Sequence, residues 1–305
     1  MEGRFVKNIP LILGAGMIGV LIILMLFGPY LPFVDEQLEP VKHRWSEDKR
    51  LQLPPYPPSV HNLLGSDKNG VDLFSKIVMG TKETLLIVLG ITTLRYMIAV
   101  PLGLLARRQK GLGHVIVQGW NQIFSFIPTI LAAVLLLSIP PIQNAEHRLL
   151  IAIVVLAVIE VGRVAQVTAE RAHQVGKEEY IEAGTALGLS SRRMARSYYL
   201  PALAPEVIVG FCIDLGKVML LIGQLGILQI FLQHVWVEVH FFTPKYLNTS
   251  LNWSALLAEH RREVLSSKFG FIFYPAAFIA FSILAFNLLG EGLRRRMKQK
   301  YHTTG

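Results

Sequence analysis

The chain has 305 residues, 52% of them hydrophobic, with 30 Lys and Arg against 21 Asp and Glu for a formal charge of +9. A mean hydropathy of +0.45 exceeds what a soluble domain needs and marks a membrane protein. The basic residues cluster beside apolar runs instead of forming one stripe, which fits an anionic inner leaflet better than nucleic acid. The single cysteine, Cys212, lies inside an apolar run, so the chain has neither a disulfide framework nor a thiolate cluster, and no metal site is expected.

Pro10 to Leu31 is an apolar run of about 20 residues, enough at 1.5 Å per residue to cross a hydrocarbon core of roughly 30 Å. A cleaved leader is disfavoured, because Phe27, Pro29, Tyr30 and Pro32 follow where small residues would be cut. Arg4 and Lys7 put the N-terminus inside. Residues 32–76 then form an external loop, expected as extended surface chain around Pro54, Pro55, Pro57 and Pro58. Asp67, Asn69 and Gly70 are turn formers just before the next apolar run. The chain therefore divides into residues 1–76, an N-terminal helix and external loop, and residues 77–305, a core with five further spans.

The second span is Thr84 to Leu105, with Arg95 near its centre. A charge at that depth costs about 2.5 to 3.5 kcal/mol on insertion scales, so Arg95 must find a partner, and pairing for structure is preferred to a substrate-path role. Arg107, Arg108 and Lys110 mark the inner end. A third span runs from Val115 to Ile139 and a fourth from Leu149 to Val167, where Glu160 and Arg163 share a face and neutralise one another. The fifth, Pro205 to Leu232, carries Asp214 and Lys217 one turn apart. A mutual pair is preferred there to an ion relay, because no third ionisable group is visible in register. Gly210, Gly216, Gly223 and Gly226 allow close helix contact along it. The external segment Gln233 to Lys268 has His234 and His240 around Trp236 and Glu238, which is not a metal-protease spacing. The sixth span, Gly270 to Leu289, ends in a basic run from Arg294 to Lys300 that keeps the C-terminus inside.

Between the fourth and fifth spans, Glu179 to Pro205 reads EYIEAGTALGLSSRRMARSYYLPALAP. This polar interruption must lie outside the bilayer as a helical hairpin. Ile181 and Leu187 are expected to share the first helix's apolar face, and Gly188 to end that helix in a left-handed conformation. Ser190 or Ser191 caps the second helix, which carries Met194, Tyr198 and Leu200 and closes at Pro201.

Three motifs carry a family resemblance. Glu182, Ala183, Gly188, Leu200 and Pro201 stand in register with the pattern Glu-Ala-Ala, three residues, Gly, nine residues, Ile, one residue, Leu-Pro, with Gly184 at the second Ala and Tyr198 at the Ile. Gly65, Asp67, Gly70, Asp72, Ser75 and Gly80 match a second pattern, with Val71 and Lys76 in place of arginines. Asn287, Leu288, Leu289, Gly290, Gly292, Leu293 and Arg294 match a third, with Glu291 for Asp. The chain resembles the permease subunits of type I ABC importers of the dipeptide and oligopeptide branch, most like the second, C-type permease of such systems.

The resemblance implies an all-α integral membrane fold of about six transmembrane helices with a cytoplasmic coupling-helix hairpin at residues 178–201. It implies that Glu182, Ala183, Gly184, Gly188, Tyr198, Leu200 and Pro201 form the ATPase-coupling motif, Glu182 through a charged hydrogen bond that fixes the hairpin. The implied partners are a second homologous permease, two ATPase subunits and an extracytoplasmic substrate-binding protein, in the cytoplasmic membrane of a bacterium or archaeon. ATP and Mg would sit on the ATPases, and this chain would bind no cofactor. Catalytic groups are not expected: Gly210 to Gly216-Lys217 has five intervening residues instead of the four of a P-loop, and Val218 follows. A secondary transporter or channel using Arg95, Asp214 and Lys217 is the rival class.

Overall fold

Apolar segments in lipid must satisfy their backbone internally, and the predicted spans fall mainly on helix, though the third is interrupted at residues 126–128 and the fifth runs past its helix over residues 228–232. The structure, a computed structural model, describes residues 8–45, 51–240, 243–260 and 270–303. Arg4 and Lys7, on which the N-terminal orientation rests, lie outside them, as do the side chains of Trp236, Glu238, His240 and Lys300.

Helix α1 (Ile9–Phe27) is followed by a 3-10 turn at Gly28–Tyr30. The external loop is in part extended, as β1 (Arg44–Trp45) pairs antiparallel with β2 (Leu51–Gln52), but it is not all surface chain, since Tyr56 and Asn62 are buried. Helix α2 (Leu73–Ala106) begins well before the predicted second span. The reason is local, since the Asp72 carboxylate accepts both the amide and the hydroxyl of Ser75 at 2.7 Å and so caps the first turn. Ahead of it, Asp67 accepts the amides of Asn69 and Val71 at 2.8 and 2.9 Å, and Gly65 and Gly70 take left-handed backbones at φ 81 and 85°. The motif at residues 65–75 is thus a self-bonded turn that starts a helix.

The predicted third span is not straight. It is α3 (Leu112–Ser125) and α4 (Thr129–Leu137), bent by 91° at Phe126 to Pro128, where the proline pushes its predecessor away from helical geometry. The proline pair at 140 opens a short helix α5 (Pro140–Gln143). The fourth is α6 (Arg148–Ile159) and α7 (Val161–Val175), bent by 41° at Glu160. Then come α8 (Glu179–Ala186), α9 (Ser191–Met194), a π-helical turn at Ala195–Tyr199 and α10 (Leu200–Ile227). Strands β3 (His234–His240) and β4 (Thr243–Asn248) pair antiparallel, and α11 (Trp253–His260) and α12 (Gly270–Thr303) complete the chain. Among the described residues Ile9–Tyr30, Leu73–Ala106 and Gly270–Gln299 are long and apolar enough to cross a membrane alone, and the two bent pairs raise the number to five at most; α10, on which the predicted fifth span falls, is not one of them. The fold is therefore mostly helical and of membrane type, a coarser statement than six crossings.

Two compact units divide the chain. The first comprises residues 1–15, 89–218 and 284–305. Its core packs Ala99, Ala106, Val117, Val161, Val164 and Ala165 from α2, α3 and α7. Small residues set the approach distances: a Cβ at Gly14 would overlap the backbone of Leu288 and Leu289, and one at Gly292 the backbone of Leu11, so α1 and α12 cross almost backbone to backbone. The Asn8 side chain donates to the Gly292 carbonyl at 2.6 Å across that crossing. The closing motif is in this sense a packing device.

The second unit comprises residues 16–88 and 219–283. Its centre is Trp253, fully buried, whose Nε1 donates to the Ile77 carbonyl at 2.9 Å and whose amide donates to the Thr84 hydroxyl at 3.0 Å. Gly80 lets the backbone at Leu251 approach α2, and Gly226 does the same for Ser254 against α10.

Candidate functional site

The hairpin between α7 and α10 is folded by its own sequence. Gly188 has φ 72°, its amide donates to the Thr185 carbonyl at 3.0 Å, and the Leu189 amide donates to the Gly184 carbonyl at 3.3 Å. That pair of bonds is a Schellman motif, and only a residue free of left-handed strain closes it cheaply. Ser190, not Ser191, caps α9 by accepting the Arg193 amide at 3.4 Å.

Three expectations need correction. Ile181 and Leu187 do not share a face, because six residues turn a helix through about 240° beyond a full turn. Ile181 is 3% exposed in the core, whereas Leu187 is 79% exposed at the tip. Pro201 does not close the second helix but lies in the first turn of α10. The proline would clash with the carbonyl four residues back, and the wider turn just ahead, in which the Leu200 amide reaches the Ala195 carbonyl, absorbs it. Glu182 makes no side-chain hydrogen bond or ion pair among the described residues. Its carboxylate lies instead at a cavity of about 620 Å³ that Arg107, Arg108, Lys177 and Tyr199 also line.

The two departures from the motif have partners. Gly184 is buried against the Met194 thioether, where a methyl group would stand 2.9 Å from the sulfur. Tyr198 stacks on Tyr180 at 6.4 Å between ring centroids. Underneath, Ile181, Met194 and Tyr199 pack with Leu104 of α2, Ala172 and Val175 of α7 and Leu203 of α10. Ala183, Leu187 and Leu200 stay on the outer surface.

The charges of the predicted spans form one network. Arg95, 1% exposed, lies 3.6 Å from Asp214 and donates to the Leu156 carbonyl at 3.0 Å. Arg163 donates through one Nη to both oxygens of Asp214, at 2.9 and 3.0 Å, and through Nε to Glu160. Glu160 also accepts the Thr129 hydroxyl at 2.7 Å, and Lys217 lies 3.5 Å from Asp214. The Glu160 and Arg163 pair stands as expected, and so does a partner for Arg95. Asp214, however, is not merely the partner of Lys217: its nearest cation is Arg163, 51 residues away in sequence.

The arrangement ties the break before α4, the break between α6 and α7, α2 and α10 into one charge-compensated cluster. Pairing of this kind lets a membrane bundle hold buried charge. Sequence reasoning missed Thr129, and it missed Glu83 in the second unit, which accepts from the Ser250 hydroxyl and from the Leu251 amide at 3.0 Å. The only local signal for Glu83 was an acid near the start of an apolar run. Among the described residues no cluster of His, Cys, Asp and Glu could hold a metal ion.

Comparison with known proteins fits this architecture. The chain is 25% identical over 297 residues to the probable D,D-dipeptide transport system permease protein of Escherichia coli, covering 96% of this chain and 89% of the relative. It is 27% identical over 243 residues to the glutathione transport system permease protein of Pectobacterium atrosepticum, covering 80% and 74%. It is 27% identical over 245 residues to the dipeptide transport system permease protein of Alkalihalophilus pseudofirmus, covering 80% and 73%. The family model for the binding-protein-dependent transport system inner membrane component matches residues 99–303, which hold the hairpin and every member of the charge network except Arg95. The chain thus belongs to the family of binding-protein-dependent transport system inner membrane components, and it is a non-catalytic permease subunit of an ABC importer.

Proposed function

We propose that this chain forms half of the translocation pathway for peptides or related small solutes, and that residues 178–201 seat on separate ATPase subunits and couple their motion to the pathway. The observation that carries the reading is the hairpin's two-sided build. Its inner side is welded by Ile181, Met194 and Tyr199 to α2, α7 and α10, while Ala183, Leu187 and the arginines 192, 193 and 196 remain exposed. An ATPase that displaces such an element displaces the helices packed on it, a rigid-body switch between inward and outward access.

The remaining organisation follows from the same reading. A second homologous permease completes the pore, two ATPases carry ATP and Mg, and an extracytoplasmic binding protein delivers the solute. Six crossings place both termini in the cytoplasm of a cell with this importer in its cytoplasmic membrane. Residues 77–305 are the permease core, and residues 1–76 supply an additional helix and external loop. Of the motif, Gly184, Gly188 and Tyr198 shape the hairpin, Leu200 and Pro201 form its exit into α10, and Glu182 and Ala183 face the ATPase. A secondary transporter is the weaker reading, since Glu160 and Asp214 are both engaged by Arg163 instead of being left free to carry a proton or ion.

The test is ATP hydrolysis and solute uptake measured together in the reconstituted importer. Gly188→Asp and Glu182→Lys should insert normally, hydrolyse ATP and transport poorly. Normal uptake in both variants removes the coupling assignment.

A further inference from the structure

We propose that the polar face of α10 formed by Glu206, Gly210, Asp214 and Lys217 lines the solute path, and that Lys217 is its cationic contact for a substrate carboxylate. This deepens the pathway reading above and rests on it. The four positions follow one another at intervals of four, four and three residues, so they form a single stripe about 16 Å long on the helix. All four line one cavity of about 290 Å³, together with Tyr96 and Arg163.

Two features say what that cavity is for. Two of its charged side chains, unlike the buried Asp214, are not sealed in: Glu206 is 53% and Lys217 54% exposed, and charges at such positions on a spanning helix face water or protein and not hydrocarbon. The charges also do not cancel. Around Asp214, Arg95, Arg163 and Lys217 stand against Asp214 and Glu160, which leaves one positive charge in excess; of the other charged residues of the lining, Glu206 is paired with Arg171 at 2.9 Å and Arg294 with Glu291 at 3.2 Å. Both arginines are held by hydrogen bonds, Arg163 to both carboxylates and Arg95 to a carbonyl. Lys217 reaches Asp214 only at 3.5 Å, beyond good hydrogen-bond length for a charged pair, so its donors are spare, and unlike Arg95, whose Nε also lacks a partner but is buried, it is open to a solute. A peptide's terminal carboxylate is an anion that such an ammonium accepts, and a weak single contact suits a path that must also release its cargo.

The test uses the reconstituted importer in a Cys212→Ser background, with Ile213→Cys as a reporter beside the stripe; Ile213 lines the same cavity. Small anionic and cationic thiol reagents, sulfonatoethyl and trimethylammonioethyl methanethiosulfonate, are applied with and without trialanine or trialanine amide. The proposal expects labelling from water and an anion-to-cation rate ratio that falls at least about threefold on Lys217→Gln, as loss of one nearby charge requires. It expects protection by trialanine, weaker protection by the amide, and no difference between the two once Lys217 is Gln. Several results overturn it. They are a reporter that stays unlabelled in every nucleotide state, protection that ignores the carboxylate, and protection that follows the phosphatidylglycerol content of the vesicles instead of the peptide. Uptake by the Cys212→Ser importer is assayed alongside: if it proceeds without ATP, the importer reading fails whatever the labelling shows.

Discussion

The charge network of the first unit and the clamp around Trp253 in the second solve the same problem with opposite chemistry. In the first, three cations and two carboxylates hold helices together, with Arg95 and Asp214 buried and Lys217 half exposed at the edge. In the second, one carboxylate, Glu83, accepts a hydroxyl, a backbone amide and the Asn252 amide. Trp253 and Ser254 reach backbone carbonyls, Ser254 at 2.6 Å from that of Ile222. Ion pairs tolerate rearrangement, because one cation can replace another around a carboxylate. Close backbone contacts across Gly80 and Gly226 tolerate none. The comparison assigns movable joints to the network and a fixed anchor to the clamp.

The largest effect should come from breaking the network on one side only. Asp214→Asn leaves Arg95 buried without a carboxylate and should cost about 3–5 kcal/mol, read as loss of folded protein in membranes on heating in mild detergent. The double variant Arg95→Met with Asp214→Asn should recover most of that loss, since an apolar replacement removes the stranded charge. No recovery would mean that the pair does not carry the cost. Next, Gly80→Ala drives a methyl group into the Leu251 carbonyl and should cost about 1–3 kcal/mol by the same assay, because neither backbone can yield. A smaller effect is expected with pH. His260 is buried against Phe271, and burial pushes its imidazole below the ordinary range. The unfolded chain therefore binds the proton more readily, so His260 contributes full stability above about pH 6.5 and progressively less as pH falls below it. His260→Gln should flatten that part of the stability profile. Smallest of all, Gly184→Ala in the hairpin should shift stability by less than about 1 kcal/mol, because the atom in the way is the tip of the flexible Met194 side chain.

Local chemistry was legible in the sequence and long-range pairing was not. Gly188 announced its left-handed closure and the serines at 190 and 191 announced a cap, because both effects act within a few residues. The apolar runs announced helices, yet not the 91° bend at Pro128 or the break at Glu160, where a single residue ends one helix and starts the next. Asp214 and Lys217 looked like a closed pair because spacing along one helix was the only geometry available. The arginines that dominate Asp214 come from other helices, 119 and 51 residues away in the case of Arg95 and Arg163. Pro201 misled for a related reason. A proline read alone signals a stop, and nothing in its neighbours shows that a π turn will carry the helix past it.

Leu187, the most exposed apolar side chain at the hairpin's tip, offers the most direct test of whether the hairpin is a cytoplasmic handle gripped by an ATPase. In a Cys212→Ser background, Leu187→Cys should react with a membrane-impermeant maleimide in inside-out vesicles, and assembly with the ATPase subunits should slow that reaction at least tenfold. Reaction in right-side-out cells, or a rate that ignores the ATPases, would contradict it.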